Sequence, residues 1–176
     1  MAEAAGSEGS PFWRFSLRFY RNPEVAAACI VLQDEAGVDV NILFFLLWNA
    51  TMKRSFSVPV IADLDERIGA WRNATVIPLR ELRRALKSPP KVVDPGAAEA
   101  FRTRIKGAEL EAERLQQQTM YELAPSLPSE SAESPAAAAR ASVAGYATVV
   151  GKPFPPAASE TILAAFARLT ADAGED

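Results

Sequence analysis

The 176-residue chain contains no histidine, which removes the commonest general acid/base and the commonest metal ligand together. A Ser-His-Asp or Cys-His nucleophilic site is therefore excluded within it. The single cysteine, Cys29, excludes an intramolecular disulfide and any multi-cysteine zinc site, and its scarcity suits a reducing cytoplasm. Long apolar runs are also missing: the densest, Ile42–Trp48, is far below the roughly 20 residues that span a bilayer, so it is expected as a core helix and no transmembrane segment is expected. Basic excess is absent, since the net charge is -3, so no global field draws the protein to nucleic acid, and no specific nucleic-acid partner is expected. Residues Met1–Ser10 lack the charged and apolar regions of a secretory leader. Neither GxGxxG nor GxxxxGK[ST] occurs, and nothing calls for a cofactor or a metal.

What is present is an ordinary soluble globular composition, 49% apolar and 23% charged, long enough to bury a core without staples. Residues 1–9 offer nothing large to bury and are expected as a disordered arm. Ser10-Pro11 is a helix start, and Asn22-Pro23 ends that helix and begins the next. Gly37 is placed for a left-handed C-terminal cap and Asp39 for the N-cap of a third helix, Val40 to about Lys53, apolar nearly all round and so central. A fourth helix is predicted near Pro59–Arg72, with Ile61, Leu64, Ile68 and Trp71 at spacings of three and four, and a fifth over Pro78–Lys87.

On that fifth helix Leu79, Leu82 and Leu86 make the expected buried side, while Arg80, Arg83, Arg84 and Lys87 face water. A long helix from Asp94-Pro95 to Leu123 shows Phe101, Ile105, Ala108, Ala112, Leu115 and Thr119 as a narrow seam. These elements define a helical domain at 10–123. Residues 124–158, rich in Pro, Ser and Ala, are expected as a linker, with a possible helix at Ala136–Gly151, and 159–173 as an accessory helix presenting Ile162, Leu163, Phe166 and Leu169. No strand alternation persists and no repeat is visible, so the fold class is all-α: a compact multi-helix bundle with a long helix, a flexible linker and a C-terminal accessory helix.

Four constellations could carry function. The aromatics Phe12, Trp13, Phe15, Phe19 and Tyr20 cover two faces of the first helix and, with Phe44, Phe45 and Trp48, could line an apolar groove, although core packing is the default. Gln33, Asp34, Asp39 and Asn41 crowd the junction of two apolar helices; capping of free backbone groups explains them best, and oxygen ligation of a hard cation is the sharper alternative. Arg80, Arg83, Arg84 and Lys87 form a basic stripe, a solvated face by default and otherwise a seat for an acidic partner or a nucleotide phosphate. Glu109 and Glu113, a turn apart, are expected to pair with Lys106 and Arg102 on a solvated face. Cys29 reads as a small, unreactive core residue.

Over Phe12–Trp48 the segments FWRFSLRFY, LQDEAGVDVN and ILFFLLW resemble a family of short uncharacterised bacterial proteins with FW-x-FSL-x-x-Y, LQD-x-x-G-x-DVN and LLF-x-LW patterns. The resemblance weakens through RELRRALK and GAELEAERLQ and stops near Leu115. It implies a compact α-helical fold and transfers no catalytic residue. With the usual catalytic sets missing and apolar helical surface plentiful, the expected role is that of a non-catalytic cytoplasmic interaction or accessory protein with a protein partner; the alternative is a small-ligand or lipid-handling protein, or an enzyme using Asp34, Asp39 and Asn41. The oligomeric state is left open.

Overall fold

A computed structural model describes residues 9–172. The expected arm at 1–9, Gly9 excepted, and residue 173 of the expected last helix lie outside the described residues. Proline placement explains most helix starts. The first helix, α1 (Pro11–Tyr20), α2 (Pro23–Val31), α6 (Pro95–Leu123) and α7 (Pro135–Val150) each begin with proline directly after a capping residue. Ser10 Oγ accepts from the Trp13 N–H at 3.1 Å, Asn22 Oδ1 from Glu24 at 2.9 Å, Asp94 Oδ2 from Ala97 at 2.8 Å and Ser134 Oγ from Ala137 at 3.1 Å. Each cap satisfies a donor that the first helical turn leaves free, beside a proline that has none to satisfy.

After α2 the helix widens into a π turn, Leu32–Ala36, and closes at Gly37 with φ 76°. The Val38 N–H donates to Leu32 O and the Gly37 N–H to Gln33 O, a nested pair around the left-handed residue that is one residue wider than the cap of a regular α-helix, with Val38 and Leu32 both buried beside it. Asp39 then caps α3 (Val40–Thr51), whose residues from Asn41 to Leu47 are all buried. This helix is central: α1, α6 and α7 all pack against it. On the α1 side Phe12 meets Phe45 edge-on at 5.5 Å, and Phe19 meets Phe44 at 5.3 Å.

Two two-residue strands, β1 (Arg54–Ser55) and β2 (Glu130–Ser131), pair antiparallel with Arg54 opposite Ser131 and Ser55 opposite Glu130. The sequence shows no alternation because so short a pairing needs none. Arg54 clamps this junction, donating to Asn49 Oδ1, to the Ala124 carbonyl and to Ser129 Oγ, each at 3.0 Å. α4 (Val58–Trp71) continues through a second π turn, Arg72–Val76, into α5 (Ile77–Ala85). The extra residue has a local cause: Pro78 has no N–H to offer Ala74, and the Ile77 N–H reaches back five residues to Arg72 O.

Three expectations need correction. Residues 124–158 are not a free linker, because α7 within them lays Ala138, Ala139, Ser142, Val143 and Tyr146 into the core. Its small side chains allow close approach: a Cβ on Gly145 would stand 3.1 Å from Ile61 Cδ1 on α4. The following helix, α8 (Pro156–Asp172), packs on α2 and α7 with Ile162 and Phe166 buried, so it closes the same core. Nor is the inward face of α6 the apolar seam: of that seam Ala112 is buried, but Phe101 and Leu115 are 41% and 40% exposed, and Glu109, Gln116, Gln117 and Met120 are buried in their place. The third correction is on α5, where Leu82 is 41% exposed while Arg80 and Arg83 turn toward α6. Apolar periodicity misjudges both helices because their shared face is held by charge. Among the described residues no helix is long and apolar enough to cross a membrane.

Candidate functional site

The polar corner between α2 and α3 is locked from several sides. Asp39 Oδ1 accepts the Asn41 N–H at 2.8 Å, the expected cap. Its Oδ2 accepts from Arg72 at 3.1 Å and from Gln116 Nε2 at 2.7 Å, so the carboxylate is fully employed although its side chain is only 6% exposed. Arg72 also donates to Asp65 at 2.7 Å. Burial works against the Arg72 charge, but Asp65 and Asp39 more than offset it and hold its pKa above the usual arginine value. The backbone N–H of Asp39 in turn donates to the Tyr146 hydroxyl at 3.1 Å. Burial drives that phenol strongly upward, so it stays neutral.

The expected stripe and the expected acidic pair meet each other. Arg80 donates to Glu109 at 3.0 Å and to Glu113 at 2.7 Å, and Arg83 donates through Nε to Glu109 Oε2 and through Nη2 to Glu109 Oε1 at 3.3 Å. Glu109 is therefore buried among arginines of α5, not solvated beside Lys106 and Arg102. Burial pushes its carboxyl up, but hydrogen bonds from Arg83 and Arg80 outweigh that and hold it below the usual range. Glu113 moves the other way, raised by burial, with the neighbouring Glu109 charge adding to the shift. Arg84 pairs with Asp34 at 3.0 Å on the exposed surface; Asp34 thus makes an ion pair rather than the expected backbone cap.

Two open clefts border these networks and share Gln33, Asp34, Arg80 and Arg84. One, of about 600 Å³, is walled by Asp39, Asp65, Arg72 and Tyr146 together with both π turns. The other, of about 790 Å³, lies between α1 and the α5–α6 pair and falls within the size range of ligand sites. Trp13, Leu17, Tyr20, Ile30, Val40 and Phe44 form its apolar side. Opposite them stand Arg80, Arg83, Arg84, Lys87 and Lys106 against the carboxylates of Asp34, Glu109 and Glu113, a surplus of two positive charges in a chain whose net charge is -3. Among the described residues neither Lys87 nor Lys106 has an ion-pair partner.

Two nearly buried polar residues also border this second cleft. Ser16 and Gln117, each 4% exposed, line it, and Ser16 Oγ and Gln117 Oε1 have no hydrogen-bond partner. Gln117 Nε2 is committed to Asn41 Oδ1 at 2.7 Å, which leaves the acceptor free. An unpaired buried acceptor costs about 1–3 kcal/mol, and both atoms lie beneath the cleft surface and not open to it.

The predicted site residues divide accordingly. Trp13, Tyr20, Gln33, Asp34, Asn41, Arg80, Arg83, Arg84 and Lys87 come together on the second cleft. Phe12 and Phe19 are core, Phe15 stacks on Phe19 at 5.6 Å, and Trp48 packs between Phe12 and Tyr121, so the full aromatic groove does not form. Asp34, Asp39 and Asn41 do not converge, since Arg84, Arg72 with Gln116, and Gln117 engage them separately. Among the described residues no group of three acidic or cysteine side chains is arranged to hold a metal ion. Cys29 is buried and its thiol is pushed up to about 12 by burial. Sequence reasoning missed Ser16, Gln116, Gln117 and Tyr146. Ser16 amid phenylalanines and the run Gln116–Gln118 were the available signals, being polar groups where apolar ones were expected.

A family model described as a protein of unknown function (DUF2390) matches residues 11–120. No curated protein and no solved structure matches the chain. The matched span holds every residue of the second cleft, from Trp13 to Gln117, whereas the first cleft draws Tyr146, Val149 and Val150 from beyond it.

Proposed function

The chain belongs to this DUF2390 family of unknown function, and on that premise we propose that it is a non-catalytic accessory protein whose working surface is the cleft between α1 and the α5–α6 pair. Its ligand is a small amphiphilic anion, with an apolar body laid on Trp13, Leu17 and Tyr20 and a negative end at Lys87 and Lys106. One observation carries the reading: an apolar wall faces a surplus of positive charge inside a protein that is negative overall. The acids that could act as general bases are committed to arginines, which favours holding a ligand over transforming it.

The test uses 8-anilinonaphthalene-1-sulfonate, a probe with an aromatic body and one negative group. The native protein should bind it at a single site, with fluorescence lost in Leu17→Arg and reduced at least tenfold in affinity by Lys87→Glu with Lys106→Glu. Binding that ignores all three substitutions, or no binding at all, would overturn the proposal. A protein recovered with the chain from its host, and still held by Leu17→Arg, would instead move the working surface elsewhere.

A further inference from the structure

We infer that a second copy of this chain docks antiparallel on α6, along the face that carries Phe101, Ala108 and Leu115. The seam over 101–119 has two rows. In one, Ile105 is half-buried and Ala112 buried, where α5 and the π turn before it pack on α6. In the other, Phe101, Ala108 and Leu115 are all exposed. None of these three lines either cleft, so this surface is separate from the ligand site proposed above. An apolar residue at every seventh position along one face of a long helix is the pattern to which another helix packs.

The row matches itself when reversed. Phe101 stands seven residues before Ala108 and Leu115 seven after it. Two α6 helices laid antiparallel about a two-fold axis at Ala108 therefore set Phe101 of each copy against Leu115 of the other, the reciprocal contact of a closed two-fold interface. Ala108 meets its own equivalent at the crossing point, where its small side chain lets the backbones approach. Charge follows the same symmetry. Arg104 and Glu111, exposed on the adjoining row, lie four residues before Ala108 and three after it, so Arg104 of each copy comes opposite Glu111 of the other. A parallel pairing in register would instead set like charges side by side. Within one chain Arg104 has no carboxylate partner among the described residues, and its guanidinium lies 5.4 Å from the centre of the Phe101 ring, already along this face. Glu111 holds only an exposed pair with Arg114 one turn on, which is easily rearranged.

The experiment is sedimentation velocity of the full chain over a concentration series through the micromolar range, in which the mass should rise from one chain to two. Ala108→Arg, which sets a charge against its own copy at the crossing point, should stay monomeric throughout. Arg104→Glu and Glu111→Arg should each weaken association by about tenfold or more, and the two together should restore it to within about threefold of wild type. All three positions are exposed, so the variants should melt as the native monomer does. Anilinonaphthalene sulfonate affinity should be equal in wild type and Ala108→Arg, which separates the fate of this surface from that of the cleft. A native chain that remains monomeric at every concentration would overturn the inference. So would a dimer that persists in Ala108→Arg, or a double charge variant that associates as weakly as the single ones.

Discussion

The Tyr146 hydroxyl accepts the backbone N–H of Asp39, 107 residues earlier in the chain, at 3.1 Å. It ties α7 to the corner that starts the central helix. Tyr146→Phe removes the acceptor and leaves that N–H short of a partner in a buried setting, so a loss of about 1–2 kcal/mol is expected. Urea unfolding reads it directly, and a midpoint equal to wild type would mean that water replaces the hydroxyl.

Glu109 holds two arginines of α5, and Glu109→Gln leaves their charges half-matched, at an expected cost of about 3 kcal/mol at neutral pH. The sign with pH follows from its lowered pKa. Its contribution is complete above the unfolded carboxylate value, about 4.3, and is lost as pH falls through the lower folded value. Wild type and variant should therefore converge in acid. Glu113, whose pKa is raised, contributes with the opposite slope, losing stability as pH rises through its folded value. Glu113→Gln should cost less than Glu109→Gln at pH 7, and the reverse ranking in parallel urea titrations would contradict this account.

A chain ending at Leu123 tests whether α7 and α8 belong to the core. Its removal uncovers one side of α3 and of α2 and discards Tyr146, Phe154, Ile162 and Phe166, all buried. At about 1.5–3 kcal/mol for each large apolar side chain, that loss rivals the whole stability of an ordinary domain. No sharp thermal transition is expected from the truncated chain by near-ultraviolet circular dichroism. A cooperative melt would restore the notion of a self-sufficient domain at 10–123.

The buried, high-pKa thiol of Cys29 should be inert in the native protein. Ellman's reagent at pH 8 should report less than a tenth of a thiol over minutes in buffer and one full thiol in guanidinium. Rapid native reaction would show that the cleft wall formed by α2 opens.

Much of the fold is legible from short-range chemistry. Ser10, Asn22, Asp39 and Asp94 cap as their types and following residues demand, and Gly37 takes the left-handed turn reserved for it. The Ser134 cap carries the same signal but sits in a Pro/Ser/Glu stretch whose composition masks it, and the alanines of α7 bury well only because α3 and α4 are shaped to receive them. The candidate site is legible in half. Its aromatics and cations stand out by type, whereas the Arg80–Glu109 and Arg83–Glu109 pairs join residues 29 and 26 positions apart on two helices, and no apolar period encodes such a partnership.

The π turn at Arg72–Val76 is a counting offset in one long run of helix. The wide turn takes up the residue that a regular α-helix would pass on as about 100° of rotation, so Arg80 and Arg83 keep the azimuth that faces them to α6. One residue inserted between Leu79 and Arg80, with no wide turn there to absorb it, would keep every charge in the chain yet swing those side chains off α6. The polarity of the cleft wall is thus a matter of phase, written in residue number more than in residue kind.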